Sequence, residues 1–220
     1  MIGEAGRADA GAFLARLVRL DRAALVRLRP TGAGAEMWAR LPFDVLVMRT
    51  LAVSVDGDVT VDASALLDNL DAAGSPRRRD EAWHWPLPPS RGRVVESIPA
   101  AELARIAEAA SSTLRAVIGE GIGGRPVGER AVRDALLDHV AIVVTGEEGD
   151  RVEVPQRLVQ AVVRMGFLGR PVVTSGDGTV AVRVAQAWIG LAAPYGSGWY
   201  RPTSPLRMGQ GVDAAVGPFR

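Results

Sequence analysis

The alternation of apolar and polar residues divides the chain into a series of short elements. Phe13, Leu14, Leu17 and Val18 recur at helical spacing with Arg16 and Arg19 on the other side, which predicts an amphipathic helix over 8–20. Residues 23–29 alternate, Val26 and Leu28 against Arg27 and Arg29, as a half-buried strand does. A run holding Met37, Trp38 and Leu41 follows. Val45 to Val55 is then apolar on both faces apart mainly from Arg49, the pattern of a central strand. Asp56-Gly57-Asp58 turns the chain into Val59-Thr60-Val61, a hairpin signal, and Asp62 or Ser64 is placed to cap a short helix reaching about Ala72.

The second half opens with Val94-Val95. Pro99 suits a first helical position and Glu102 a first turn, and Leu103, Ile106, Ala110, Leu114 and Val117 form one stripe, so a helix is predicted over 99–117. Gly119–Pro126 breaks it, and a second helix covers about 127–139. Ala141–Thr145 and Arg151–Val154 read as a hairpin, and Pro155 opens a third helix to about Phe167. Val172–Thr174, a Ser-Gly-Asp-Gly turn and Thr179–Ala185 read as a second hairpin, with a further short strand from Trp188 to Leu191. This order predicts an α+β fold: a mixed or antiparallel sheet with hairpins and about four to five helices, rather than a doubly wound sheet. Residues 1–73 form a β-rich N-terminal portion, 74–93 a Pro/Arg/Trp connector, 94–201 a helix-hairpin-helix-hairpin portion, and 202–220 an irregular tail. Neither portion alone has many buried positions, so the sequence leaves open whether the two share one sheet.

Composition narrows the chemistry. At 220 residues the chain buries about 70 % of its unfolded surface and needs no covalent or metal staple. All 26 basic residues are arginine, facing 25 acids. The absence of lysine fits the coding bias of a GC-rich bacterial genome, and it excludes Schiff-base and Walker-type lysines. The absence of cysteine excludes thiol nucleophiles, iron–sulfur clusters and zinc ribbons. The N-terminus has no signal-peptide run, since Arg16, Arg19 and Arg22 interrupt it, and no apolar stretch is long enough to span a bilayer. A cytoplasmic location is the default expectation, with no membrane partner.

Four groups of residues carry candidate chemistry. Arg77, Arg78 and Arg79 with Trp83 and Trp85 combine guanidinium and aromatic groups, as single-stranded nucleic-acid sites do. The plainer reading has the tryptophans anchoring a loop on the core. On the third helix, Gln156, Arg157, Gln160 and Arg164 lie opposite the apolar face, where they read base edges or stay solvated. Gly119-Glu120-Gly121-Ile122-Gly123-Gly124 matches a dinucleotide fingerprint, with Glu147 at the distance of a ribose-binding acid. Against that reading, the preceding run continues a helix and Pro126 delays the next one, so a plain helix-to-helix loop competes with it. Lastly, Tyr195, Trp199, Tyr200 and Arg201 suit an interface between copies of the chain.

Weaker signals complete the picture. Pro86 to Arg91 fits a proline-rich ligand pattern but also a stiff connector. Ser197 lacks the first glycine of a nucleophile elbow. His84 and His139 are isolated, and Asp56, Asp58 and Asp62 lack the glycine and closing glutamate of a calcium loop, so no metal and no cofactor is expected. With no catalytic residue in view, the leading expectation is a non-catalytic cytoplasmic binding protein. It contacts a protein or a nucleic acid through the connector and the third helix. The alternatives are a nucleotide- or small-ligand-binding enzyme centred on Gly119, Gly121 and Gly124, and a structural homo-oligomer.

Overall fold

The computed structural model describes residues 4–70, 75–90, 92–120, 128–147, 149, 151–169 and 178–202. In chain order these form α1 (Glu4–Leu20), β1 (Leu25–Thr31), β2 (Gly34–Arg40), β3 (Leu46–Leu51), β4 (Val59–Asp62) and α2 (Ala63–Asp68). After a connector with one 3₁₀ turn (Asp80–Ala82) come β5 (Arg93–Pro99), α3 (Ala100–Glu120), α4 (Glu129–Asp138), β6 (Val140–Thr145), β7 (Arg151–Pro155) and α5 (Gln156–Arg164). The last elements are β8 (Thr179–Ala185), β9 (Trp188–Ala193) and β10 (Gly196–Tyr200). Eight strands make one sheet in the order β4-β1-β2-β3-β10-β9-β8-β5, every pairing antiparallel, and β6 and β7 form a separate hairpin. The fold is α+β, as its hairpin-rich pattern predicts.

Both portions of the chain build this sheet. The N-terminal portion supplies β4-β1-β2-β3, the C-terminal portion β10-β9-β8-β5, and the β3–β10 pairing joins them at the centre. β3 is therefore the central strand that its two-sided apolar run predicts. The expected hairpin at Asp56-Gly57-Asp58 does not form. β4 pairs with β1, not β3, because β3 already has β2 on one side and β10 on the other. Asp62 precedes α2 but makes no side-chain cap; its carboxylate receives Arg79 instead. The strand expected at 172–174 and the tail from 203 onward lie outside the described residues.

One face of the sheet carries the helices. Its cross-strand row runs Val61, Val26, Ala39, Val47, Gly198, Leu191 and Val182, all at or near full burial. α1 brings Phe13, Leu14 and Leu17 into this core, and α5 brings Leu158, Val159 and Val162. α5 crosses β10 where that strand has no side chain. A Cβ at Gly198 would stand 3.1 Å from Leu158 Cδ1 and 3.2 Å from Val162 Cγ2, closer than most real contacts. α3 and α4 pack on α5 from outside, so α5 is covered on both sides. Among the described residues the other face of the sheet carries no α-helix.

Candidate functional site

The helix-free face is where the sheet and the connector meet. Strand alternation brings one continuous row of side chains across all eight strands: Thr60, Arg27, Trp38, Met48, Ser197, Ala192, Ala181 and Ser97. A neighbouring row runs Arg40, Leu46, Trp199, Gly190, Arg183 and Val94. Gly190 is required here because the Trp199 indole lies over it, 2.6 Å from where a Cβ would stand. Trp38, Leu46, Trp83, Ala185, Trp188 and Trp199 form a second apolar cluster on this face, separate from the helix-side core.

β4 and β5 are consecutive in the sheet's chain order yet lie at its opposite edges, so the segment between them has to cross the molecule. Eight strands at about 4.8 Å spacing set a crossing of roughly 35 Å, within reach of an extended segment of this length. It starts tied to β4: Arg79 N–H donates to Thr60 O at 2.7 Å, and Thr60 N–H donates to Asp80 Oδ1 at 2.7 Å. Arg78 donates to Asp80 Oδ2 and to Asp58 O. The Thr60 amide first, and Arg78 second, hold the Asp80 carboxyl below the usual carboxylate range. Trp83 then settles over the sheet, its Nε1 donating to Trp85 O at 2.8 Å, with the Arg27 guanidinium over its ring and Arg40 over Trp85. Arg27 makes a two-pronged pair with Asp58, which raises its pKa further. Leu87 joins the same apolar cluster, and Gly92 ends the crossing against Ala185 and Trp199.

Between the end of this strap and the ends of β3, β9 and β10 lies a cleft of about 670 Å³. That is the size of ordinary ligand-binding clefts. Trp38, Met48, Leu87, Tyr195 and Trp199 give it apolar walls; Arg29, Arg49, Arg183, Asp9 and Glu36 give it charge. Most of that charge is matched internally. Arg49 pairs with Asp9 at 2.5 Å, Arg29 has Asp58 at 3.6 Å, and Glu36 accepts from Trp38 Nε1 at 2.9 Å. Arg183 differs: its Nε is buried without a hydrogen-bond partner. Among the described residues no cluster of metal-ligating side chains occurs.

The structure separates the residues singled out by sequence. Arg77 is exposed, whereas Arg78 and Arg79 are engaged with Asp80 and Asp62; Trp83 is buried and Trp85 half-buried as strap anchors. Gln160 is buried in the α3–α5 contact, its Nε2 donating to Ala107 O at 3.0 Å and facing Ser111 Oγ at 3.5 Å. Arg157 bonds Phe43 O and Asp138 and lies over the Tyr200 ring. Arg164 donates to Gln160; partial burial of its guanidinium first, then Arg133 nearby, lowers its pKa from the ordinary arginine value. Strand alternation puts Trp199 on the helix-free face and Tyr200 on the helix face, with Tyr195 in the β9–β10 turn and Arg201 exposed beyond β10. Gly119 lies in the last turn of α3, so the fingerprint's leading strand is a helix here; Glu147 is exposed in the β6–β7 turn, and Gly121 and Gly124 lie outside the described residues. The tryptophans and prolines suggested an anchored, stiff connector, but not one that crosses the sheet. The contribution of Met48, Arg183 and Ser197 was not legible, because only the strand register brings them together.

The fold resembles that of solved DNA polymerase sliding clamps. Solved structures similar to this chain include a putative DNA polymerase III β subunit from Eubacterium rectale (8% identity, 91% of this chain and 63% of that chain, TM-score 0.51). They include the DNA polymerase III β subunit of Pseudomonas aeruginosa (13%, 89% and 62%, TM-score 0.52). A sliding clamp from Bartonella birtlesii bound to griselimycin matches as well (13%, 90% and 64%, TM-score 0.53). At these identities the likeness is one of fold, and this chain spans less than two thirds of each of those chains. No curated protein matches the sequence. The chain belongs to the family described as Domain of unknown function (DUF8185), which matches residues 87–205; residues 1–86 match Domain of unknown function (DUF8010). The border between the two matches falls inside the strap, between Pro86 and Leu87.

Proposed function

We propose that this chain is a non-catalytic protein-binding module on a clamp-type sheet, taking an extended segment of a partner protein into the cleft beside the strap. The observation that carries the reading is the lining of that cleft. Tryptophan, tyrosine, methionine and arginine are the residue types enriched at protein interfaces, and here most of them project from hydrogen-bonded strands that hold them ready. The solved structures that share the fold are subunits of DNA polymerase III, which supports a place in a protein assembly. Soluble, cytoplasmic action fits this reading, and among the described residues no helix is long and apolar enough to cross a membrane.

A protein partner is favoured over nucleic acid because the arginines are largely spoken for. Arg78, Arg79 and Arg157 face acids of the same chain. On α3 Arg115 pairs with Glu108, and on α4 Arg130 stands 3.9 Å from Asp134. Such internal pairing leaves little of the excess cation that phosphate binding needs. The test is selection of a random heptapeptide phage library on the immobilised protein. Binders are expected that are lost on Thr50→Arg, a substitution at an exposed residue of the cleft wall. Failure to enrich any Thr50→Arg-sensitive peptide overturns the reading. So does tight binding of single-stranded DNA that weakens steeply between about 50 and 200 mM salt.

A second reading has its own observation. Among the described residues β5 ends the sheet with β8 as its ladder partner and β6 packed nearby, and Val94 on it is 49 % exposed. An open edge of this kind pairs readily with another strand, so self-association through β5 is the oligomer reading the structure favours. Light scattering at increasing concentration tests it: a mass above the monomer that Val94→Lys reduces supports it, and a monomer throughout rejects it.

A further inference from the structure

The geometry points to Arg183 as the specificity residue of the cleft: we infer that the partner segment carries a carboxylate that pairs with Arg183 next to an apolar residue seated against Trp38 and Trp199. This inference rests on the protein-binding reading and names the chemistry of the partner.

Arg183 sits on β8 between Val94 of β5 and Gly190 of β9, in the same cross-strand row as Trp199. Its charge has therefore been brought onto the apolar part of the sheet face, beside a tryptophan, by a register that one residue's slip would undo. The Arg183 side chain is half-buried in the cleft wall with its Nε shut away from solvent, so a carboxylate in the cleft would meet the guanidinium at its terminal nitrogens. The other charges in the cleft are Arg29, Arg49, Asp9 and Glu36. Arg49 pairs with Asp9, Arg29 shares Asp58 with Arg27, and Glu36 accepts from the neutral Trp38 Nε1–H, so these two arginines and two acids together bring no net positive charge. Arg183 is thus the cation left for a ligand. A guanidinium fork donates two parallel hydrogen bonds to the two oxygens of a planar carboxylate, so the pair sets direction as well as charge. The apolar neighbour follows from the walls: Trp38, Met48 and Trp199 flank the same space. Asp9 and Glu36 at the far side disfavour a strongly acidic run, which limits the match to one carboxylate at one position.

The test uses the intact chain and the same heptapeptide library, selected in parallel on the wild type, on Arg183→Met and on Arg183→Lys. Wild-type binders are expected to hold Asp or Glu at one fixed position beside an apolar residue. Arg183→Met is expected to lose the acidic preference while keeping the apolar one, and to weaken a chosen acidic peptide at least tenfold by fluorescence polarisation. Arg183→Lys is expected to recover part of that affinity. Peptides sensitive to Thr50→Arg but free of acidic preference, or binding Arg183→Met equally well, overturn the inference and leave the cleft as a binding site. Absence of any peptide sensitive to Thr50→Arg overturns both. Should Arg183→Met alter the circular dichroism or melting of the free protein, Arg183→Gln serves as the second neutral variant.

Discussion

At Gly198 the sheet yields to α5. Valine there sets two methyl groups into space already held by Leu158 and Val162, and the helix cannot retreat because α3 backs it. Gly198→Val is expected to cost about 1–3 kcal/mol, read as a lower urea midpoint with an unchanged slope. Asp80 illustrates charge at the same scale. Its carboxylate accepts the Thr60 amide and Arg78, and these hold its pKa below the ordinary value in the folded chain. A group depressed in this way stabilises the fold above its unfolded pKa and loses that contribution as pH falls through the folded one. The strap's attachment to β4 should therefore loosen as pH drops through and below the ordinary carboxylate range. The protection factor of the Thr60 amide, its exchange relative to the free-peptide rate at the same pH, is expected to fall there, and Asp80→Asn should lower it already at neutral pH. Neither residue advertised its role in the sequence. Gly198 was one glycine among many, and Asp80 was visible only as a charge weakening the arginine run before it. Cross-strand partners decide both roles, and a single strand does not contain them.

At the scale of elements, α5 is the clearest case of a pattern read correctly and a face assigned incompletely. Its apolar stripe did predict burial of Leu158, Val159 and Val162. Its other side also lies under protein, because α3 covers it, and Gln160 there bonds the Ala107 carbonyl. An amphipathic period reveals which side meets the larger core; it does not reveal a second layer. Gln160→Ala is expected to cost about 1–2 kcal/mol by leaving that contact unmade, with the loss seen in thermal or denaturant unfolding. The strap is the converse. Its prolines and tryptophans correctly announced a long, anchored, extended segment, though not that it spans the sheet. Trp83→Ala empties a buried site under it and removes the Arg27 contact. It is expected to destabilise the chain by about 3 kcal/mol or more and to raise protease sensitivity between Arg77 and Arg93. β10 was anticipated as an aromatic interface between copies rather than as a central strand. Its two glycines in five residues hid a strand that the register places at the middle of the sheet.

For the molecule as a whole, the two family matches meet within the strap, yet the sheet does not divide there. Separated, the halves would each bare an edge at the β3–β10 seam together with half of the helix-side core. Residues 1–86 or 87–220 produced alone are therefore expected to aggregate or to give poorly dispersed amide spectra, and the two co-expressed to recover the native spectrum. Two well-folded halves would show that the seam is an interface rather than a core. The seam pairs Val47 with Gly198, residues from nearly opposite ends of the chain. Ribosomes add about 5–20 residues each second, so β3 waits on the order of ten seconds or longer for its partner to be made. Throughout that interval the most apolar strand of the N-terminal half emerges into a crowded cell with one side unpaired. Slowed translation of the second half should lengthen that exposure and lower the soluble yield without changing a single residue.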